Sequence, residues 1–90
     1  MNKGELVASV SEKSGLTKVD SERAIEAVFD SITESLQRGD EVRLVGFGSF
    51  LAIDKPASEG RNPRTGEKIR IPAHRAPKFK AGKLLKDALS

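Results

Sequence analysis

The chain has 90 residues, of which 37% are hydrophobic and 32% charged, with four Phe as its only aromatics, one His and no Cys. That length makes one small domain spanning residues 1–90; the absence of Cys excludes disulfide staples, and a single His excludes a Cys/His metal framework. A core of this size supplies only a few kcal/mol, which leaves association with a second chain as the remaining stabiliser.

Charge is unevenly placed. Residues 1–54 carry six Lys/Arg against ten Asp/Glu, a net −4, and residues 55–90 carry ten against three, a net +7. The overall +3 is the sum of an acidic part and a basic part, and such asymmetry predicts a face for a polyanion. The opening MNKGELVASV lacks the apolar centre of a signal peptide. The longest weakly polar run, Leu44 to Ile53, has ten residues and is too short to span a bilayer. No membrane association and a cytoplasmic location are expected.

Asn2 and Glu5 form a capping-box-like pair, Leu6, Val7 and Val10 share one helical face, and Ser14-Gly15 ends that first helix. Thr17 and Asp20 open a second helix. There Ala24, Ile25, Val28, Phe29, Ile32 and Leu36 recur at spacings of three and four, and Gly39 stops it. Two helices joined by a tight turn resemble a DNA-reading pair, but Glu22, Glu26, Asp30 and Glu34 on the second would repel phosphates. Residues 1–39 are therefore expected to be a helical scaffold.

Glu41–Val45 reads as a strand, Gly46-Phe47-Gly48 as a turn with Phe47 buried, and Ser49–Asp54 as a second strand. The Gly-Phe-Gly turn lacks the Lys-Ser/Thr of a phosphate-binding loop and precedes a strand, not a helix. Next comes Lys55 to Lys78, KPASEGRNPRTGEKIRIPAHRAPK, with no aromatic and no apolar run. Gly60 to Gly66 is dense in turn formers, and Lys68-Ile69-Arg70-Ile71 alternates with the period of a strand. Residues 55–75 thus form a two-stranded ribbon with Pro63 at its tip, an arm that cannot bury itself and is marginal alone in water. Residues 76–82 return to the body with Phe79 as anchor, so that 40–54 and 76–82 make one sheet. Residues 83–90 form a last helix, with Leu84, Leu85, Ala88 and Leu89 on its apolar side. Phe29, Phe47, Phe50 and Phe79 all lie outside the arm and are the expected core of a dimer.

Enzyme chemistry has no support. His74 is an exposed ribbon residue without a partner acid, and no Asp/Glu/His group has metal-ligand spacing. No catalytic residue, cofactor, metal or small-molecule substrate is expected. The cations Lys55, Arg61, Arg64, Lys68, Arg70, Arg75, Lys78, Lys80, Lys83 and Lys86 point instead to nucleic acid. Single strands are held on aromatic platforms, which the arm lacks, and major-groove reading favours a basic helix, whereas the candidate helix is acidic. A ribbon carrying Arg and an apolar Pro tip suits the minor groove of duplex DNA.

GFGSF (46–50), Lys55, Ser58 and GRNPRTG (60–66), with AVFDSITESL (27–36), PKFKAGK (77–83) and LKDAL (85–89), resemble the bacterial histone-like HU/IHF family along the whole chain. The resemblance implies an α+β fold: an intertwined homodimer with a helical base, an antiparallel β saddle and two extended β-ribbon arms that reach around duplex DNA. It implies sequence-tolerant binding, bending and wrapping, with preference for bent, nicked or junction DNA, in a nucleoid-associated protein. By the same resemblance Pro63 is the wedge between base pairs, Arg61 and Asn62 contact the minor groove, Arg64 occupies a variable tip position, and Lys80, Lys83 and Lys86 approach phosphates. The arm base departs from the family pattern: Asp54 to Glu59 carries one cation and two acids, with Arg70, Arg75 and Lys78 expected to compensate on the return side. Beside this reading stand a protein-interaction module whose arm docks on an acidic partner and two nucleic-acid alternatives. One is a sequence-preferring IHF-like subunit, disfavoured because the chain stops at Ser90. The other is a structured-RNA-binding module, disfavoured because the shallow minor groove of duplex RNA fits a Pro wedge less well.

Overall fold

A computed structural model describes residues 1–90, which divide into two compact units, Met1–Glu34 and Ser35–Ser90. The first unit contains α1 (Lys3–Ser14) and most of α2 (Lys18–Gln37). Local chemistry sets both starts. Asn2 Oδ1 accepts from Glu5 N–H at 2.9 Å, and Thr17 Oγ1 accepts from Asp20 N–H at 3.1 Å, satisfying helix-end donors that would otherwise lack partners. Gly15 closes α1 in the left-handed region at φ 78°. Ile25 is the one buried hydrophobic side chain, with Ser21 fully buried one turn before it. Lys3 Nζ bonds Glu26 Oε1 at 2.5 Å. That bond, aided by the charges of Glu26 and Glu22, raises the Lys3 ammonium above its ordinary 10.5. A raised cation stabilises the fold at neutral pH and loses its contribution only as pH climbs through the raised value.

The second unit begins with the end of α2. Gly39, at φ 83°, donates to Leu36 O at 3.1 Å, and Asp40 N–H donates to Ser35 O at 2.9 Å. Those two bonds form a Schellman stop. A three-stranded antiparallel sheet follows in the order β1 (Val42–Leu44), β2 (Gly48–Lys55), β5 (His74–Ala81). Gly46, at φ 86°, turns the chain between β1 and β2, and Phe47 N–H donates to Leu44 O at 3.0 Å. The register pairs Phe50 with Phe79 and continues to Asp54 with Arg75 and Lys55 with His74. The ladder then breaks on both strands, at Pro56-Ala57 and Pro72-Ala73, and resumes as β3 (Ser58–Arg61) against β4 (Lys68–Ile71). Proline has no N–H to donate, so the two facing interruptions separate the arm from the sheet. Finally α3 (Lys83–Leu89) follows Gly82.

Gly82 and Gly48 mark the tightest approaches. Gly82 N–H donates to Phe47 O at 2.8 Å, and a Cβ there would stand 3.0 Å from that oxygen. A Cβ on Gly48 would come within 2.5 Å of Lys80 O and 2.6 Å of the Phe79 ring, so the ring packs directly on the glycine backbone.

The expectation that Phe47 is buried does not hold within one chain, where it is 47% exposed. Its ring meets Phe79 at 5.6 Å between centroids and is otherwise about half open. Phe29 and Phe79 are similarly open, while Phe50 is half-buried against Phe79 at 4.9 Å. Strand limits also shift: β1 stops at Leu44 because Val45 enters the turn, and β2 runs on to Lys55 because His74 pairs with it.

Candidate nucleic-acid interface

The arm tip satisfies its own backbone. Asn62 N–H donates to Glu67 O and Gly66 N–H to Asn62 O, both at 2.8 Å, with Gly66 at φ 71°. Asn62 Oδ1 accepts from Arg64 N–H at 2.9 Å, and Thr65 Oγ1 from Glu67 N–H at 3.3 Å, the side-chain turns that favour Asn and Thr there. Pro63 is left exposed at the apex with no amide proton to leave unpaired. Asn62 is half-buried, its oxygen accepts from Arg64 N–H, and its NH₂ is left to donate to a ligand.

Alternation gives the arm two faces. Directly opposed residues in an antiparallel ladder share a face, so Arg61 with Lys68 and Glu59 with Arg70 lie on one side. Ile69 and Ile71 lie on the other, opposite Gly60 and Ser58. Ile71 reaches across Gly60, where a Cβ would stand 3.3 Å from Ile71 Cδ1. The charged face carries three cations and one acid.

The same rule sorts the sheet. Lys78 and Lys80 oppose Leu51 and Ser49, and Ser49 opposes Arg43 on β1, so Arg43, Lys78 and Lys80 share one face. Lys55 and His74 fall on that face at its arm end. Phe50, Phe79 and Arg75 take the opposite face. Arg75 donates to Gln37 O at 3.3 Å and Leu36 O at 3.5 Å, so the structure turns it away from the lysines with which the sequence grouped it. His74 Nδ1 lies 3.1 Å from Pro72 O, a local contact across the ladder break. On α3, Lys83 and Lys86 are three apart and share a side, and Lys86 N–H donates to Gly82 O at 3.1 Å.

Every cation from Lys55 onward is exposed, and none forms an ion pair; the two pairs in the chain are Lys3–Glu26 and Arg38–Asp40. Apart from Arg75, which is held by the α2 carbonyls, the basic part of the chain therefore keeps its charge free for a ligand. Arg43 is the residue that sequence reasoning missed. Its signal was present, since Arg43 alternates with Val42 and Leu44, but its place beside Lys80 depends on pairing across three strands. No group of three His, Cys, Asp or Glu is placed to hold a metal ion, and no helix is long and apolar enough to cross a membrane.

Comparison with known proteins agrees along the full length. Residues 1–90 match the family described as bacterial DNA-binding protein. The chain is 56% identical over 89 residues to the DNA-binding protein HU of Geobacillus stearothermophilus, covering 99% of each. It is 50% identical over 90 residues to the DNA-binding protein HU 1 of Bacillus subtilis, covering 100% of this chain and 98% of that one. Among solved structures, a cocrystal of Anabaena HU with DNA superposes with a TM-score of 0.93 at 49% identity, over 100% of this chain and 98% of the other. HU from Thermotoga maritima superposes with a TM-score of 0.70 at 33% identity, over the whole of both chains. The α+β architecture is thus that of HU structures, and the chain belongs to the bacterial DNA-binding protein family.

Proposed function

We propose that this protein is a histone-like, nucleoid-associated component of the cytoplasm, a homodimer that binds duplex DNA through the minor groove with little sequence preference and bends it. It is a structural DNA-binding protein, not an enzyme. The observation that carries the reading is the run of exposed, unpaired cations on a protruding ribbon that ends in an exposed proline. Kinship with proteins named HU, one of them crystallised with DNA, supports it over the IHF-like alternative.

In this reading Arg61, Lys68 and Arg70 follow the groove from the charged face of the arm, with Arg64 and the Asn62 amide at the tip and Lys55 at the arm root. Lys78, Lys80, Lys83, Lys86 and Arg43 meet phosphates at the body, and Pro63 inserts at a base step. Positive charge along a narrow groove favours Arg, and a compact apolar ring at an unstacked step lowers the local cost of a kink. None of these contacts reads a base-pair pattern of the kind the major groove presents.

Titration of linear, nicked and four-way-junction DNA and of a matched RNA duplex over a salt series tests the proposal. Neutralising about six to ten phosphates lowers affinity by ~10³–10⁵ between about 50 and 200 mM salt. Nicked and junction forms should bind tighter than linear duplex, and base-pair changes should matter little. A preference above about a thousandfold for one duplex sequence, beyond the non-specific regime, would support the IHF-like reading. Equal or tighter binding to the RNA duplex would support the RNA-binding one.

A further inference from the structure

We infer that Arg75 is a positioning residue, not a DNA contact: it closes the C-terminal end of α2 and thereby fixes the root of the arm. The inference rests on the DNA-bending reading above. Three observations carry it.

The first is the face. Strand alternation puts Arg75 with Phe79 and Phe50, on the side of the sheet opposite Lys78 and Lys80. A side chain there points away from the cations proposed to meet phosphates. The second is the vacancy it fills. The Schellman stop uses the carbonyls of Ser35 and Leu36 for Asp40 and Gly39, which leaves Gln37 O without a bond from the stop. The last turn of α2 has no basic residue of its own to meet the negative end of the helix dipole. Arg75 supplies both needs from 38 positions along the chain, with Nη2 3.3 Å from Gln37 O and Nη1 3.5 Å from Leu36 O. The third is the choice of partner. Asp54 is directly opposite Arg75 in the ladder, yet the two form no ion pair. The guanidinium goes to the helix end instead.

Arg75 is the second residue of β5, two positions after Ala73 in the ladder break. Tying it to α2 holds the last paired rungs below the arm against a rigid element. Flexing then begins at the Pro56-Ala57 and Pro72-Ala73 gap, and the arm enters the groove from a fixed base.

Arg75→Gln and Arg75→Lys test this by three readouts. In Arg75→Gln, exchange of the Gly39 and Asp40 amides should quicken about two- to fivefold, as expected for a lost helix-end charge. Arg75→Lys should recover most of that protection. The slope of log affinity against log salt should stay at the parent value in both variants. The bend-angle distribution, read by energy transfer across an end-labelled duplex, should broaden in Arg75→Gln and narrow again in Arg75→Lys. A slope lower by about 0.9, the signature of one lost phosphate contact, would overturn the inference. So would unchanged amide exchange, failure of Arg75→Lys to restore protection, or an unaltered bend distribution. Amide exchange needs no DNA, so failure of the Arg75 role is distinguishable from failure of DNA binding itself.

Discussion

Pro63 and Arg61 stand two positions apart at the end of the arm, and their chemistry divides affinity from distortion. Arg61 carries an exposed, unpaired charge, so its worth to a duplex is electrostatic and falls with salt. Pro63 carries no charge, and the tip hydrogen bonds hold without its help. Bending a short site sharply costs about 1–6 kcal/mol by smooth elastic estimates, and an unstacked step reduces that cost locally. Pro63→Ala should keep most linear-duplex affinity but lose bend angle and the preference for distorted DNA. Arg61→Ala should weaken all duplexes and lower the salt slope by about one unit. Affinity and end-to-end distance measured on one labelled duplex check both, and a Pro63→Ala protein that bends DNA as far as the parent removes the wedge. Ser21 poses a different question. It is 0% exposed and its Oγ has no hydrogen-bond partner, so its desolvation is uncompensated. Ser21→Ala removes that cost and adds helix propensity, and should raise stability by about 1–2 kcal/mol in urea unfolding at fixed protein concentration. A less stable Ala variant would show that the hydroxyl finds a partner in the assembled protein.

The arm is a separate element because both strands lose their ladder at the same level. Its four paired rungs expose Ile69 and Ile71 by about two-fifths, too little burial to hold a ribbon still. Residues 56–73 should therefore be mobile in free protein, with backbone order parameters below about 0.6 against about 0.85 in the rigid sheet. Duplex DNA should raise them and slow tryptic cleavage after Arg61 and Arg64. Rigid values without DNA would count against a self-unsupported arm. Local chemistry made much of this legible from sequence alone: Asn2 and Thr17 start helices and Gly15 and Gly39 end them, where their side chains or φ preference require, and the Pro and Gly run announces the tip. Other features depend on pairing that no local pattern contains. β2 extends to Lys55 only because His74 faces it. Arg75 and Lys78 look alike in composition, and only strand parity separates the helix-facing one from the other. Asn62 reads as a groove contact, and its second task, accepting the Arg64 N–H in the turn, shows only in three dimensions. Sequence alone does not single out Ser21: it lies one turn before Ile25, but its burial and lack of a partner show only in three dimensions.

For the whole molecule the decisive quantity is surface. One chain exposes 7408 Å². A self-contained globular monomer of 9.7 kDa exposes about 5,100 Å². The projecting arm accounts for part of the excess, but large apolar side chains outside it share in it, with Phe29 49%, Phe47 47%, Leu84 65% and Val45 96% exposed. A single buried hydrophobic, Ile25, does not offset the conformational entropy of ninety residues. A second copy would supply the missing burial, and folding would then be coupled to association. The unfolding midpoint should rise with protein concentration. Each tenfold increase is worth about 1.4 kcal/mol, or about 3–6 °C for a dimer of this size. Phe29→Ala sharpens the test. In an isolated chain a half-exposed ring has little burial to lose, whereas a ring fully covered by a partner costs about 3–5 kcal/mol to truncate. Thermal scans of parent and Phe29→Ala proteins across a hundredfold range of concentration, with mass by sedimentation, decide between the two. A concentration-independent midpoint, a mass of 9.7 kDa and a small effect of Phe29→Ala would together show a chain that folds alone, with its aromatic faces open to water.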